Sequence, residues 1–561
     1  MSFFPIVLLS AIVLLSGCGR SLPDARSVRV DQLFAEWNKA GSPGCAVGVS
    51  RNGVVVYEGG YGLANVELGV PITPATVLAV ASVSKSFTAM SVLLAADRGL
   101  LSLDDEVQKH IPEWVDRDDH ITIRHLLTHT SGVRDAFTLL GWAPENADPN
   151  ESIVRMLARQ RGLNFSPGTE YQYNNGGYNL LASIIRRATG QSLSAFADAN
   201  IFTPLGMAHS SFQSDATALI PNRAPRYTKR GDGWHRVPEG QWTAIGNDGM
   251  YSTVGDLLRW EENFETRHVG TPQVLGAMST PTVLSDGTTT THAVGVGLSE
   301  YRGRPTVESS GGDYGIASKV VRFPNQHAAI AVLCNEDNIV MGGMARLNPD
   351  VLTSAIADIY LADALGPADA TTRAAASPPR VKLSDAELSD KTGLYRIGGT
   401  EAPALITAAR GSLMVRSYYA DDFDLEITPV GGNRFELVVQ RVPFEFIPAT
   451  KGWRVGEGKD ARVWELITWA PSAADIRGYA GEYRSDELGA TYTLDTRDSM
   501  LVIRTSYGAD IAVAPFSKDV FVGDVVGIMK FSRDRRGNVV AFTVNRIVAR
   551  GVRFDRTKRV D

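Results

Sequence analysis

Apolar and polar positions fall into distinct blocks along the chain. Residues 45–50 and 54–57 are two short apolar runs separated by Arg51-Asn52-Gly53. Asn-Gly between apolar runs is the strongest short hairpin signal, because both residues tolerate positive φ. Upstream, 30–40 carries apolar residues at helical spacing with Asp31 near its start, which predicts a helix. Phe87, Met90, Leu93 and Leu94 recur at three- and four-residue spacing, so 82–98 also predicts a helix. Helical and loop patterns dominate from 103 to 240, and strand patterns return at 293–301, 317–323 and 328–333. A sheet built from both ends of this region, with a helical insertion between, is an α+β arrangement.

The pattern changes after that. Residues 365–380 read LGPADATTRAAASPPR, with almost no large apolar side chain. This predicts a linker over 363–381 between a first domain at 30–362 and a tail. The tail reads as short strands and turns, and it repeats. Gly393, Leu413, Arg416, Tyr419 and Asp422 return 88 residues later as Gly481, Leu501, Arg504, Tyr507 and Asp510. Tyr395-Arg396 likewise returns as Tyr483-Arg484. The register then slips by two, taking Pro429 to Pro515 and Phe435 to Phe521. Such a period is too long for a solenoid unit. It predicts two copies of a small all-β domain, at 382–470 and 471–561, each barrel-like because closure removes exposed edges.

Composition narrows the function. A chain of 561 residues exceeds one core, and 44% hydrophobic with 21% charged residues is the balance of folded globular domains. The net charge of -6 provides no positive field for a phosphate backbone, so nucleic acid is excluded as a partner. Residues 3–15 are apolar and lead into Leu15-Ser16-Gly17-Cys18. The run is shorter than the roughly 20 residues that span a bilayer. Small residues before a cysteine resemble a bacterial lipoprotein lipobox. That resemblance implies removal of 1–17, a lipid anchor on Cys18, a tether over 18–29, and a periplasmic site in the bacterial cell envelope. Gly19, where an Asp would favour the inner membrane, points to the outer membrane. No Lys or Arg precedes the apolar run, and an uncleaved N-terminal helix is the alternative; either exports the remaining chain. Cys45 and Cys334 lie in apolar, strand-like stretches and read first as buried free thiols, with a disulfide open if their strands are neighbours. No CxxC, HExxH or EF-hand pattern occurs, so no metal and no cofactor is expected.

Ser82-Val83-Ser84-Lys85 opens a predicted helix, which puts Ser82 and Lys85 on one face. A serine is a poor nucleophile until a neighbour takes its proton, and a desolvated lysine can do so. Alone, the four residues read equally as a Ser N-cap and a solvated Lys. Tyr173-Asn174-Asn175 lies 91 residues on, where a tyrosine beside a lysine cation could be pushed toward phenolate and act as a base. Asn175 could hold Lys85 or a substrate carbonyl; alone, the triplet reads as a turn and helix cap.

Together these motifs resemble the serine β-lactamase and penicillin-binding superfamily, in its class C branch of esterases and D-aminopeptidases. Ile121–Gly132 as a segment, Pro204-Leu205-Gly206-Met207, Gly249-Met250-Tyr251-Ser252-Thr253 and Asp256-Leu257-Leu258-Arg259-Trp260 extend the resemblance over residues 27–362. It implies an antiparallel sheet flanked by helices with a helical subdomain, Ser82, Lys85 and Tyr173 as catalytic residues, and structural roles for His125 and His129. The cleft-strand triplet, usually Lys-Thr-Gly or His-x-Gly, is matched by Ser309-Ser310-Gly311, followed by Gly312. Ser309, Gly311 and Gly312 are thus expected to bind substrate, with the N–H groups of Ser82 and Gly312 forming an oxyanion hole. The glycines are expected to let a ligand approach the backbone. Ser309 departs from the usual Lys or His, which weakens the case for gripping a substrate carboxylate. The tail resembles the D-aminopeptidase architecture, in which a barrel loop can reach the cleft; 417–422 and 506–510 are candidates. The expectation is a serine hydrolase acting on a small peptide, amide or ester. A β-lactamase or penicillin-binding protein, and a lipid-anchored non-catalytic binding protein, are the alternatives.

Overall fold

Asn52 and Gly53 both take positive φ, 52° and 74°, the turn geometry that matches strand twist. They join Cys45–Arg51 to Val54–Tyr61, the expected hairpin with a longer second strand. The computed structural model describes residues 24–559 except 40, 116–117, 141–148, 216, 231–232, 239–243, 337–347, 368–380, 410, 419–423, 438–441, 498–499 and 505–509. Cys18, the apolar leader and most of the expected linker lie outside the described residues.

The hairpin forms one end of a seven-stranded antiparallel sheet. Its spatial order is His292–Ala293, Val296–Tyr301, Arg304–Asp313, Ile316–Phe323, Ala328–Cys334, Cys45–Arg51, Val54–Tyr61. Early and late strands therefore meet inside one sheet. Ile316–Phe323 and Ala328–Cys334 are buried at every position, as strands covered on both faces are. Ala25–Leu33 and Pro349–Tyr360 cover one face, and Val254–Thr266 with the helical subdomain covers the other.

Two expectations are corrected here. The first helix runs Ala25–Leu33 rather than 30–40, because Asp24 caps it, accepting from the Arg26 N–H at 3.2 Å. Phe34 and Trp37 are buried from the turns that follow, which is what mimicked a helical continuation. Cys45 and Cys334 are not free thiols. Their strands are neighbours, the two residues face each other in register, and a disulfide joins them with S–S 2.10 Å.

The tail forms two closed eight-stranded barrels, Gly393–Ile397 through Arg462–Leu466 and Gly481–Ser485 through Ala549–Arg559. The repeat has a structural cause. Tyr395 and Tyr483 are fully buried, and their hydroxyls donate to the carbonyls of Lys391 and Tyr479, at 3.0 and 2.8 Å. Ser384 with Glu387, and Ser472 with Asp475, form capping boxes on matching short helices. Pro429 and Pro515 each sit at a register shift, where a missing N–H is tolerated. The barrels meet through Phe516, Val522 and Ile528 of the second against Leu394, Tyr418 and Ile467 of the first.

Replacing Cys45 and Cys334 together by Ser should lower stability by about 2–4 kcal/mol, read as a lower urea midpoint. Reduction of the parent protein should reproduce the loss and leave the double variant unchanged.

Candidate functional site

Ala81 takes φ +45°, a conformation that costs a non-glycine residue about 1–3 kcal/mol. It immediately precedes Ser82 in a 3₁₀ turn, Ala81–Val83, that runs into the helix Ser84–Asp97. One turn on, Lys85 lies over the same face with Nζ 3.0 Å from Ser82 Oγ. Lys85 is buried, and its Nζ also donates to Asn175 Oδ1 and to the Asn247 carbonyl, both at 2.8 Å. All three donors of an ammonium are thereby used. Burial pushes the lysine down to about 7, against the opposing pull of the Asp248 and Asp135 carboxylates.

Tyr173 donates its hydroxyl to Ser82 Oγ at 2.7 Å. The next residue, Asn174, caps the helix Asn175–Thr189, accepting from the Gly177 N–H at 2.7 Å. The triplet therefore places a tyrosine before the cap and Asn175 in the first turn. Lys85 Nζ stands 4.7 Å from the centre of the Tyr173 ring, over its face. Tyr173 as a whole is 40% exposed, while its hydroxyl end is desolvated. That desolvation raises the phenol; the Ser82 contact opposes it, and Asp135 and Asp248 raise it further. The expectation of a phenolate-leaning tyrosine is therefore corrected. Tyr173 holds its proton at neutral pH, and the group closest to deprotonation is Lys85.

Arg304–Asp313 leaves its neighbour Val296–Tyr301 after Glu308, so 309–313 form a free strand edge beside the nucleophile turn. A Cβ on Gly311 would stand 2.3 Å from the Val80 carbonyl and 2.9 Å from the Ser82 nitrogen. At Gly311 the turn that carries Ser82 itself approaches closely enough to require glycine. Gly312 is exposed on the same edge. The Ser309 hydroxyl is paired with Ser86 Oγ at 2.7 Å, and Ser86 also donates to the Gly295 carbonyl. Ser309 thus ties the strand to the nucleophile helix. The neighbouring buried cation, Lys319, is engaged by Glu308 and Asp350, each at 2.7 Å. Among the described residues no group of three or more His, Cys, Asp or Glu is placed to hold a metal ion.

Two supporting residues, Asn247 and Asp135, escaped the sequence reading. Asn247 acts through its backbone carbonyl, two residues before Gly249-Met250; its side chain accepts from Asn179 Nδ2 at 2.6 Å. Asp135 is buried and accepts from the Asn175 N–H at 3.0 Å. His125 forms a capping box with Thr122, a structural role as expected.

The second barrel reaches this scaffold. In the turn between its last two strands, the Val548 carbonyl accepts from the Asp135 N–H at 2.7 Å and from Asn164 Nδ2 at 3.0 Å. The adjacent Ile547 carbonyl accepts from Gln172 Nε2 at 2.8 Å, one residue before Tyr173. Glu487 forms a buried pair with Arg134 at 3.0 Å. The expected loops, 417–422 and 506–510, lie largely outside the described residues.

The Beta-lactamase family model matches residues 30–347. The D-aminopeptidase of Gluconobacter oxydans is 26% identical over 308 residues, 54% of this chain and 58% of that protein; the chain spans about half the length of the curated relatives it matches. In fold, the octameric penicillin-binding protein homologue from Pyrococcus abyssi aligns with TM-score 0.54 at 21% identity, covering 78% of this chain and all of that one. The D-amino acid amidase of Ochrobactrum anthropi SV3 aligns with TM-score 0.51 at 21% identity, over 61% of this chain and 99% of that one. With the Ser82 turn, the buried lysine and the Tyr-x-Asn helix start in place, the chain belongs to the beta-lactamase family.

Proposed function

We propose that this protein is a serine hydrolase that cleaves amide or ester bonds through an acyl-enzyme on Ser82, with D-aminoacyl amides and peptides as its substrate class. One observation carries the reading: Ser82 Oγ lies within hydrogen-bond reach of both Lys85 Nζ and the Tyr173 hydroxyl, at 3.0 and 2.7 Å. Neutral Lys85 takes the Ser82 proton as the Oγ–C bond forms. The N–H groups of Ser82 and Gly312 receive the oxyanion. Tyr173, still a phenol, gives its proton to the leaving nitrogen or oxygen as that bond breaks, and the proton held by Lys85 replaces it. Water then attacks the ester in the reverse sequence. Asn175 holds Lys85 in line. No cofactor takes part.

The D-aminopeptidase relatives support the substrate class. The polar environment supports it too. The Ser309 hydroxyl, bound to Ser86, stands where a carboxylate-gripping cation would be, and Lys319 is engaged by two carboxylates. A β-lactam-reactive enzyme is the second reading, favoured by the same Ser82–Lys85–Tyr173 geometry. The disulfide supports export to an oxidising compartment. Anchoring through Cys18 to a bacterial envelope membrane belongs to this proposal and rests on residues 3–18.

The test presents a D-alanyl anilide, an activated acyl ester and a fluorescent penicillin to the parent protein and to Ser82→Ala. Turnover of the anilide or ester should fall at least about a thousandfold in the variant. Stable penicillin labelling without anilide turnover would instead select the second reading, and equal turnover by both proteins would remove the nucleophile from Ser82.

The pH dependence has a defined sign. Protonated Lys85 cannot accept the serine proton, and its folded-state value lies near 7. Ester kcat/KM should therefore rise with pH through about 7 and fall away below it. A flat profile between pH 5 and 9 would contradict Lys85 as the base.

A further inference from the structure

His129 takes no part in the mechanism above, yet it is buried directly behind Tyr173. Its backbone carbonyl accepts from the Gln172 N–H at 2.9 Å. Its imidazole Nδ1 accepts from the Asn174 N–H at 3.1 Å. These are the two peptide N–H groups on either side of Tyr173. The ring also packs against Tyr173 at 4.7 Å and Tyr178 at 5.0 Å between centroids, with Tyr171 edge-on at 5.9 Å. To grip the residue before and the residue after at once, His129 adopts φ +58°, the left-handed region.

We propose that His129 is the positioning residue of Tyr173, a two-point backbone clamp that holds the phenol at the distance from Ser82 needed for proton delivery. The proposal rests on the Ser82 mechanism above. Nδ1 can accept from the Asn174 N–H only when the ring carries its one proton on Nε2, so the clamp requires neutral imidazole. The groups facing it are Lys85, His292, Tyr171, Tyr173 and Tyr178. Burial, then the cationic forms of Lys85 and His292, push His129 well below its usual range, which keeps it neutral. With Nδ1 engaged by Asn174, the ring positions the tyrosine and does not serve as a base for Ser82. A hydrogen-bonded proton path is sensitive to small displacement, and a shift near 1 Å is enough to lose about a hundredfold in rate.

Two substitutions separate the acceptor from the bulk of the ring. His129→Gly suits the positive φ and removes the acceptor. His129→Asn tolerates the same φ and offers Oδ1 close to the place of Nδ1. Asn also refills part of the ring's space, so urea midpoints are measured too: a merely space-filling role lowers the midpoint of the glycine variant and leaves the kcat of the two folded variants nearly equal. With the ester or anilide turned over by the parent protein, His129→Gly should lose about tenfold to a hundredfold in kcat with KM nearly unchanged. His129→Asn should retain at least about five times the kcat of the glycine variant. A smaller gap between the two, or a glycine variant within about twofold of the parent, overturns the proposal. Should His129→Gly fail to fold, His129→Asn decides alone: kcat within about tenfold of the parent supports the clamp, and a greater loss overturns it. Ser82→Ala run in parallel separates the two levels. Parent turnover that survives Ser82→Ala sinks the mechanism itself. Turnover that requires Ser82 but ignores the His129 acceptor sinks only this inference.

Discussion

A lysine amine buried among three acceptors is the constraint around which the first domain is organised. Lys85 is 3% exposed, and an ammonium at that depth is tolerable only when each of its donors is met. The acceptors come from three separate stretches: Ser82 on its own turn, Asn175 at the start of another helix, and the Asn247 carbonyl. The latter two are in turn held from behind, Asn175 by Asp135 and Asn247 by Asn179. Two carboxylates, Asp135 and Asp248, stand close enough to oppose desolvation, while the amine directs its donors to Ser82, Asn175 and the Asn247 carbonyl. Burial alone would drive the lysine to a weak base, and a close ion pair would lock its proton in place. The intermediate arrangement leaves it near the pH at which it can gain and lose that proton.

The tyrosine is set by the same balance with the opposite sign. Loss of water and two nearby carboxylates disfavour the phenolate, so Tyr173 keeps its proton where Lys85 gives its own up. Two titratable groups pushed in opposite directions around one hydroxyl form a donor and an acceptor. The cation over the ring face, rather than at the hydroxyl, is what permits this, because Lys85 directs its three donors elsewhere.

Much of this was readable before any coordinates, for identifiable reasons. Ser82, Lys85, Tyr173 and Asn175 belong to side-chain types whose chemistry is distinctive at fixed spacing, and the helix pattern at 87–94 placed the first pair on one face. Asn247 was invisible because its contribution is a carbonyl that any residue carries. Asp135 was invisible because its partner is a backbone N–H far along the chain. The Cys45–Cys334 bond needed strand register, which connects residues 289 apart and leaves no local trace. At Gly311 the sequence shows that a close approach occurs and not that the Ser82 turn is one of the things that approach. The first helix was misplaced because Phe34 and Trp37 continue its apolar spacing from non-helical turns.

The duplicated tail shows how one barrel design can carry two surfaces. The features that recur at an offset of 88 are those that make the barrel: the buried tyrosine hydroxyl, the capping box and the core leucine. Two residues that face other domains, Glu487 and Tyr418, do not recur. Glu487, which meets Arg134 and the Arg161 N–H, has Gly399 at the matching position in the first copy. Conversely, Arg416 and Tyr418 of the first barrel meet Asp524 of the second. The second barrel is thus bound on both sides. Through Val548 it supplies the acceptor for the N–H of Asp135, the residue that holds Asn175 and, through it, Lys85. A carbonyl in the tail therefore belongs to the same hydrogen-bonded chain as the buried lysine, so a shift of the tail relative to the first domain disturbs the support of the Lys85 amine.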